Sequence, residues 1–413
     1  MKFLIINDLA GMGGSELQIA REVTLLKKNN HDVVYLTLDA GQQEGKLQRN
    51  RYNIPVKHGL LYKKRIFRIL SEYYPDPVLM RKLLLLINKY KPDVIHVNNI
   101  SERAVTVYSA LEKVTGTRNI RCIQTIRDCR AVCMTGLGVC KDNKLCGGYL
   151  NENCLKKCPS GNRFRDKLND YLYYNLMKKI NKLRLAAFDT LISPSEYLKN
   201  MCKSNGMSAE VINDVLDNEE LYANVNAKDN KTSSDKKVFI SYGRLCEMKG
   251  TFRLVKAFIK FAEAEDVSNV KLILAGPISD EDEHVLNDMI KGKDYIEYVG
   301  IIEHKLIATY LQKAYAVVVP SVVAENYPNT VLEGYASHRI VIGSNRAGTS
   351  ELISNPEFMF DVDDEMDIVD KLYKVYRLKN DEYERITDSK FKELIKNNSE
   401  SVYYKNLLTR RLL

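Results

Sequence analysis

Two cations and two carboxylates stand out by their spacing. The run Val238–Tyr242 reads as a strand that ends in Gly243-Arg244-Leu245, and Lys249-Gly250 opens the next helix. Permanent cations at the carboxyl end of a strand, beside the positive end of a helix dipole, suit a diphosphate. Arginine forks onto one phosphate while lysine acts as a point charge. Further on, the strand Ala316–Val319 leads through Pro320-Ser321 to Glu325-Asn326-Tyr327-Pro328-Asn329-Thr330-Val331-Leu332-Glu333. Asn329 is expected to cap the helix Thr330–Ser337, which leaves the N–H groups of Thr330 and Val331 for a phosphate. Glu325 sits in the loop and Glu333 one turn into the helix. Carboxylates so placed can accept hydrogen bonds from the paired hydroxyls of a hexose or a ribose. Each group alone has an ordinary explanation, as a solvated cation or as a glutamate favoured in a first helical turn. Together in one half of the chain they point to a ligand.

The elements that must position these groups follow from periodicity. A chain of 413 residues is long enough for two domains. In the first half, short apolar strands (Lys2–Asn7, Asp32–Leu38, Val94–Val97, Ile120–Ile126, Thr190–Ile192) alternate with amphipathic helices such as Glu16–Asn29. A polar stretch, Asn224–Lys237, reads as a linker. Beyond it the pattern restarts with Val238–Tyr242, helix Gly250–Ala264, Lys271–Ala275, Ile296–Val299, Ala316–Val319 and Ile340–Gly343. The fold class is α/β: two Rossmann-like, doubly wound domains facing across a cleft. The expected divisions are 1–216, 217–389 and a basic helical segment, 390–413, packing back on either domain.

The motifs resemble those of the family 4 retaining glycosyltransferases of GT-B fold, of the type that builds bacterial surface polysaccharides. The resemblance rests on G-R-L-x3-K-G at Gly243–Gly250, V-G at Val299-Gly300, P-S-x3-E-x7-E from Pro320, and Gly348–Glu351. Gly13-Gly14-Ser15-Glu16 is similar to that family's glycine loop, and Ile192–Leu198 resembles its serine-containing strand end. The resemblance implies a catalytic set of Arg244, Lys249, Glu325 and, as a departure, Arg127. Arg244 and Lys249 would hold the donor diphosphate, and Glu325 would face the transferred sugar with backbone groups of Asn326 and Tyr327. Glu333 would bind the ribose, Gly300 and Ile302 would line the base pocket, and Gly13 and Gly14 would approach the phosphates. Thr330 and Val331 complete the donor set. Fixed cations and a helix N-terminus would stand in place of a catalytic metal. Many relatives carry a His-Asp pair where this chain has Arg127-Asp128. Arginine is no general base near neutral pH, so Arg127 would bind a phosphate with Asp128 orienting it, or form a structural pair. His96, Asn98 and Asp128 form the acceptor-side set.

Six of the nine cysteines fall within 129–158. A structural zinc clip of Cys133, Cys146, Cys154 and Cys158 is one reading, and disulfides or free thiols are the others. The net charge of +9 calls for an anionic partner. No nucleic-acid module is visible. Two basic-aromatic segments, Leu60–Tyr74 and Arg163–Arg184, could lie on anionic lipid or bury one face as ordinary helices. No apolar run spans a bilayer and the N-terminus reads as a first strand, so a cytoplasmic protein, able to dock at the inner membrane face, is expected. The partners expected are a nucleoside-diphosphate sugar and a glycan or lipid-linked acceptor. Three other functions compete: a nucleotide-sugar epimerase with the same donor pocket, a catalytically silent subunit that binds sugars or a partner enzyme, and a nicotinamide oxidoreductase. Gly11, Gly13, Gly14 and Asp39 approach a dinucleotide pattern but lack its third glycine, and that reading gives the second half no role.

Overall fold

The computed structural model describes residues 1–8, 13–39, 45–48, 50–56, 63–100, 102–115, 119–216 and 236–409. The chain forms two compact units, Met1–Val215 with Tyr404 onward, and Leu216–Tyr403. Most of the expected linker, together with Gly11 and residues 60–62, lies outside the described residues.

The first unit is built on an eight-stranded sheet. In chain order its strands are β1 (Lys2–Asn7), β2 (Asp32–Thr37), β3 (Gly45–Gln48), β4 (Arg51–Asn53), β5 (Val94–Val97), β6 (Arg121–Thr125), β7 (Thr190–Ser193) and β8 (Ala209–Val211). Their spatial order is β3-β4-β2-β1-β5-β6-β7-β8. All pairings are parallel except β3 with β4. The antiparallel edge was not legible, because β3, β4 and β8 are too short and too polar to show a period. Phe3, Leu4, Ile5 and Ile6 are fully buried, as strands covered on both faces must be. Local chemistry sets the helix starts. Asp76 accepts from the N–H groups of Val78 and Leu79, at 2.9 and 3.0 Å, with Pro77 in the first position of Pro77–Tyr90. Ser195, in the Ile192–Leu198 motif, is buried and caps Glu196–Ser204 by accepting from Leu198 N at 3.2 Å.

The second unit carries a six-stranded sheet made of β9 (Lys237–Tyr242), β10 (Val270–Ala275), β11 (Ile296–Tyr298), β12 (Ala316–Val319), β13 (Ile340–Ser344) and β14 (Met359–Phe360). The order is β11-β10-β9-β12-β13-β14, and every pairing is parallel. Counted from β9, this is the 3-2-1-4-5-6 arrangement of a dinucleotide-type fold, with its switch point between β9 and β12. Phe239 anchors the core beneath it, edge-to-face with Phe258 and Phe261 at 5.6 and 5.7 Å.

The C-terminal boundary expected at 390 falls inside the helix Asn380–Asn398, whose Leu394 and Asn398 are buried. From Tyr404 the chain belongs to the first unit, where the Tyr404 ring stacks on His31 and its hydroxyl lies 2.8 Å from His31 Nε2.

Candidate functional site

In the second unit, the loops that leave β9 and β12 at the switch point are fastened to each other. Met248 O accepts from Val322 N at 3.1 Å and from Val323 N at 3.3 Å. Gly250 lies at φ +73, and any Cβ there would run into the carbonyl of Pro320. Only glycine permits that approach. Gly348, in the Gly348–Glu351 stretch, is likewise pressed onto the carbonyl of Asn326, and its N–H donates to Glu325 O at 2.8 Å.

This scaffold places the chemistry. Lys249 Nζ pairs with Glu325 Oε1, and Ser321 Oγ donates to the same oxygen at 2.7 Å. Both bonds use Oε1, so Oε2 remains available as an acceptor. Burial pushes the Glu325 carboxyl up, but the Lys249 ammonium, its hydrogen bond, Ser321 and the Arg244 charge outweigh it. The net position is below the ordinary value of 4.5. Arg244 is exposed and forms no ion pair among the described residues. At the far side of the β9 end, Tyr242 donates to Glu333 Oε2 at 2.7 Å, while His304 Nε2 lies 3.2 Å from Oε1. Arg244, Lys249, Glu325 and Glu333 are thus gathered around one pair of strand ends.

Three details differ from the sequence reading. Pro328, not Asn329, is the N-cap of the helix, which runs Asn329–Ala336. Val331 N is already bonded to Pro328 O at 3.1 Å, so of the pair expected to face a phosphate only Thr330 keeps that option. The Tyr327 ring is buried, and its hydroxyl accepts from Asn398 Nδ2 at 3.0 Å, which leaves only its backbone for a ligand. Gly300, at φ +75, accepts from Gly276 N at 2.8 Å, and Ile302 packs against the core beside it. Ser321 was read only as part of the P-S-x3-E-x7-E spacing, without a role, and Tyr242 and His304 were missed. The positions of the last two, at a strand end and a helix start, carry no spacing signal of their own.

In the first unit His96, of the expected acceptor-side set, and Arg127 turn inward. His96 is 0% exposed, with Nδ1 2.5 Å from Glu22 Oε1 and Nε2 2.7 Å from Thr125 Oγ1. Enclosed on all sides, it has no atom left for a ligand. Arg127 is buried as well: it pairs with Asp214, lies 4.0 Å from Glu22, and donates from Nε to Asn98 Oδ1 at 3.0 Å. Asp128 does not orient it. Its carboxylate caps the short turn Cys129–Ala131 through Arg130 N and meets Arg130 Nε at 3.1 Å. Gly13 and Gly14 are exposed, at the start of the helix Gly14–Lys28. Beyond the carboxyl ends of β5 and β6 opens a cavity of about 540 Å³, lined among others by Asn98, Arg127 and Asp128.

The thiols of the Cys-rich stretch lie in one neighbourhood, with Cys140 in hydrogen-bond reach of both Cys146 and Cys158. Among the described residues no three His, Cys, Asp or Glu side chains are arranged to hold a metal ion. Cys133 Sγ lies 3.2 Å from Thr135 Oγ1, and Cys154 Sγ points at the Tyr149 carbonyl. Burial, together with the neighbouring Cys140, Cys133 and Cys154, pushes the Cys158 thiol up to about 12. All nine cysteines are free.

Two family models match the sequence: "Glycosyltransferase Family 4" over 12–217 and "Glycosyl transferases group 1" over 223–393. Among solved structures, a glycosyltransferase from Rickettsia africae is 17% identical, with a TM-score of 0.68 over 99% of this chain and 97% of that one. Sucrose-phosphate synthase from Thermosynechococcus elongatus is also 17% identical, with a TM-score of 0.69 over 100% and 98%. Anabaena HepE, solved in complex with UDP-glucose, is 13% identical, with a TM-score of 0.63 over the whole of both chains. At these identities the likeness shows the fold, which is GT-B. No curated protein is similar enough in sequence to count as a match.

The Glu325 geometry yields a titration test. A carboxyl whose folded value is depressed contributes stability that is present above about 4.5 and lost as pH falls through the folded value. Lys249→Met removes the main opposing charge and keeps the burial. Carboxyl ¹³C NMR should then find Glu325 titrating below 4.5 in the parent and above it in the variant. The same midpoint in both proteins would show that the pair does not hold.

Proposed function

Because the chain belongs to the family 4 glycosyltransferases, we propose that it moves a hexose-type sugar from a nucleoside diphosphate to a glycan or lipid-linked acceptor. The anomeric configuration is retained, no catalytic metal takes part, and the setting is surface-polysaccharide synthesis. One observation carries the reading: Arg244, Lys249, Glu325 and Glu333 converge on the β9 and β12 ends of a single unit.

In this mechanism the diphosphate lies against Arg244 and Lys249, and the start of the helix Asn329–Ala336 adds its dipole. Lys249 is the centre of the arrangement, because Glu325 holds its ammonium in place before a donor arrives. As the bond between the anomeric carbon and the phosphate oxygen breaks, charge grows on the leaving diphosphate, where these cations stand ready. The acceptor hydroxyl attacks from the same face and its proton passes to the departing phosphate. Glu325 Oε2 accepts from a sugar hydroxyl, and Glu333, steadied by Tyr242 and His304, accepts from the ribose. That HepE was solved with UDP and glucose, and with UDP-glucose, supports a nucleotide sugar as donor.

The first unit adds a surface suited to lipid. The helix Arg65–Tyr73 exposes Phe67 and Leu70, and Lys63 and Lys64 precede it. The helix Phe164–Ala187 begins with Phe164, 83% exposed, among Arg163, Arg165 and Lys167. Aromatic and aliphatic side chains ringed by cations suit anionic headgroups. No described helix is long and apolar enough to cross a membrane. This reading places the protein at the cytoplasmic membrane face.

Incubation with a panel of nucleotide sugars should release nucleoside diphosphate from one of them, and Arg244→Ala should lower that turnover by about 10²–10³-fold. Undiminished turnover would remove Arg244 from the mechanism, and an epimerised donor would point to the epimerase instead. For the surface, a variant carrying Lys63→Ala, Lys64→Ala, Phe67→Ser and Leu70→Ser should lose sedimentation with phosphatidylglycerol vesicles while its turnover on a soluble acceptor is kept. Equal sedimentation of parent and variant would rule the surface out.

A further inference from the structure

The cavity beyond β5 and β6 has a feature that the donor site does not explain. Arg184, from the helix Phe164–Ala187, is 5% exposed, lines the cavity and has no acidic partner among the described residues. Its contacts are neutral. Nε donates to Gln124 Oε1 at 2.8 Å, Nη1 donates to Asn181 Oδ1, and the guanidinium lies 5.5 Å from the Tyr108 ring centre. Nη2 donates to no described group. A buried guanidinium without a counter-charge is expensive to keep, and neutral amides repay only part of its lost hydration. The other buried cation of the cavity, Arg127, has its carboxylate in Asp214.

A second donor faces the same space. Asn98 is 1% exposed and lines the cavity, and its Nδ2 is buried with no partner. The orientation of the amide is fixed, because Oδ1 accepts from Arg127 Nε at 3.0 Å. The NH₂ is therefore the group left over. An orphaned buried donor costs about 1–3 kcal/mol unless something accepts from it. At the rim, Arg68 lines the cavity and forms no ion pair among the described residues, whereas Arg65 is held by Asp170 at 2.9 Å and Arg130 by Asp128. Glu72, the acid nearest these cations on the same helix, is already occupied by Arg103.

We infer that this cavity binds a phosphate group, with Arg184 and Asn98 as its inner contacts and Arg68 at its mouth. Several separate N–H donors and two unmatched positive charges suit the free oxygens of a phosphate better than the two of a carboxylate. On the transferase reading, which this step rests on, the acceptor is a phosphorylated molecule whose anionic group is read in the first unit. Its source is either the headgroup of a lipid or a soluble phosphorylated sugar.

The test needs neither donor nor turnover. In the full chain carrying Arg244→Ala, which cripples the donor site, calorimetry is run with inorganic pyrophosphate. Sedimentation is run with phosphatidylcholine vesicles with and without a polyprenyl phosphate. Adding Arg184→Gln or Asn98→Asp should weaken binding at least tenfold in whichever arm binds, and that arm names the source. Asn98→Asp keeps the Oδ1 acceptor for Arg127 and sets a negative charge against the ligand, so it preserves the fold. Unchanged thermal midpoints confirm this. Binding unaltered by both substitutions, or absent in both arms, overturns the inference. Nucleotide-sugar turnover measured separately shows whether the transferase reading fails on its own, since a phosphate held by Arg184 would survive that failure.

Discussion

The second unit depends on the contact between two loops, one leaving β9 and one leaving β12. Glycine at 250 lets the first loop touch the Pro320 carbonyl, and Lys249 then meets Glu325 from directly beside that contact. A carboxylate in such a half-buried place would rise in pKa and lose its charge if left alone. With Lys249 and Ser321 on one oxygen it stays ionised and presents the other. The same pair holds the lysine where a diphosphate would lie, so loop structure and chemistry rest on one interaction. Strand order explains why it occurs here: neighbouring strands whose connections run in opposite directions leave a crevice at their carboxyl ends.

The first unit uses its polar residues differently. Glu22, His96 and Thr125 form one chain of contacts, and Arg127 with Asn98 and Asp214 forms another, all beneath the strand ends. Such networks are worth having only when each member is matched, and here nearly every one is. Asn98 Nδ2 is an exception, and Asn98 lies on the cavity wall together with Arg184. Of the residues expected to touch an acceptor, His96 is enclosed beneath the strand ends while Asn98 lines the cavity, and the further contact of the proposed phosphate comes from a helix, Phe164–Ala187, that the sequence presented as a lipid-facing candidate.

Much of this is legible in the sequence. Val238–Tyr242 and Ala316–Val319 are short β-branched runs ending in chemistry-bearing residues, and a parallel sheet explains both features. The Lys249–Glu325 pair joins residues far apart in sequence, and their common site could be inferred only because each lies at a strand end. The inward turn of His96 and Arg127 could not be read, since their partners Glu22 and Asp214 come from distant elements with no shared period. The thiols are a related case. Density within 129–158 suggests a metal, but whether thiols converge depends on turn geometry that spacing does not encode.

The claim that most needs testing is that the second unit grips a nucleotide by its ribose through Glu333. The most direct measurement compares the affinity of the best-binding nucleoside diphosphate with that of its 2′,3′-dideoxy form, in the parent and in Glu333→Gln. The account predicts that the parent favours the ribose form by about tenfold, roughly 1.4 kcal/mol, the strength of a hydrogen bond to a charged group. The variant should lose most of that preference. Equal discrimination by both proteins would mean that the ribose lies elsewhere, and the site described at the ends of β9 and β12 would not be the donor site.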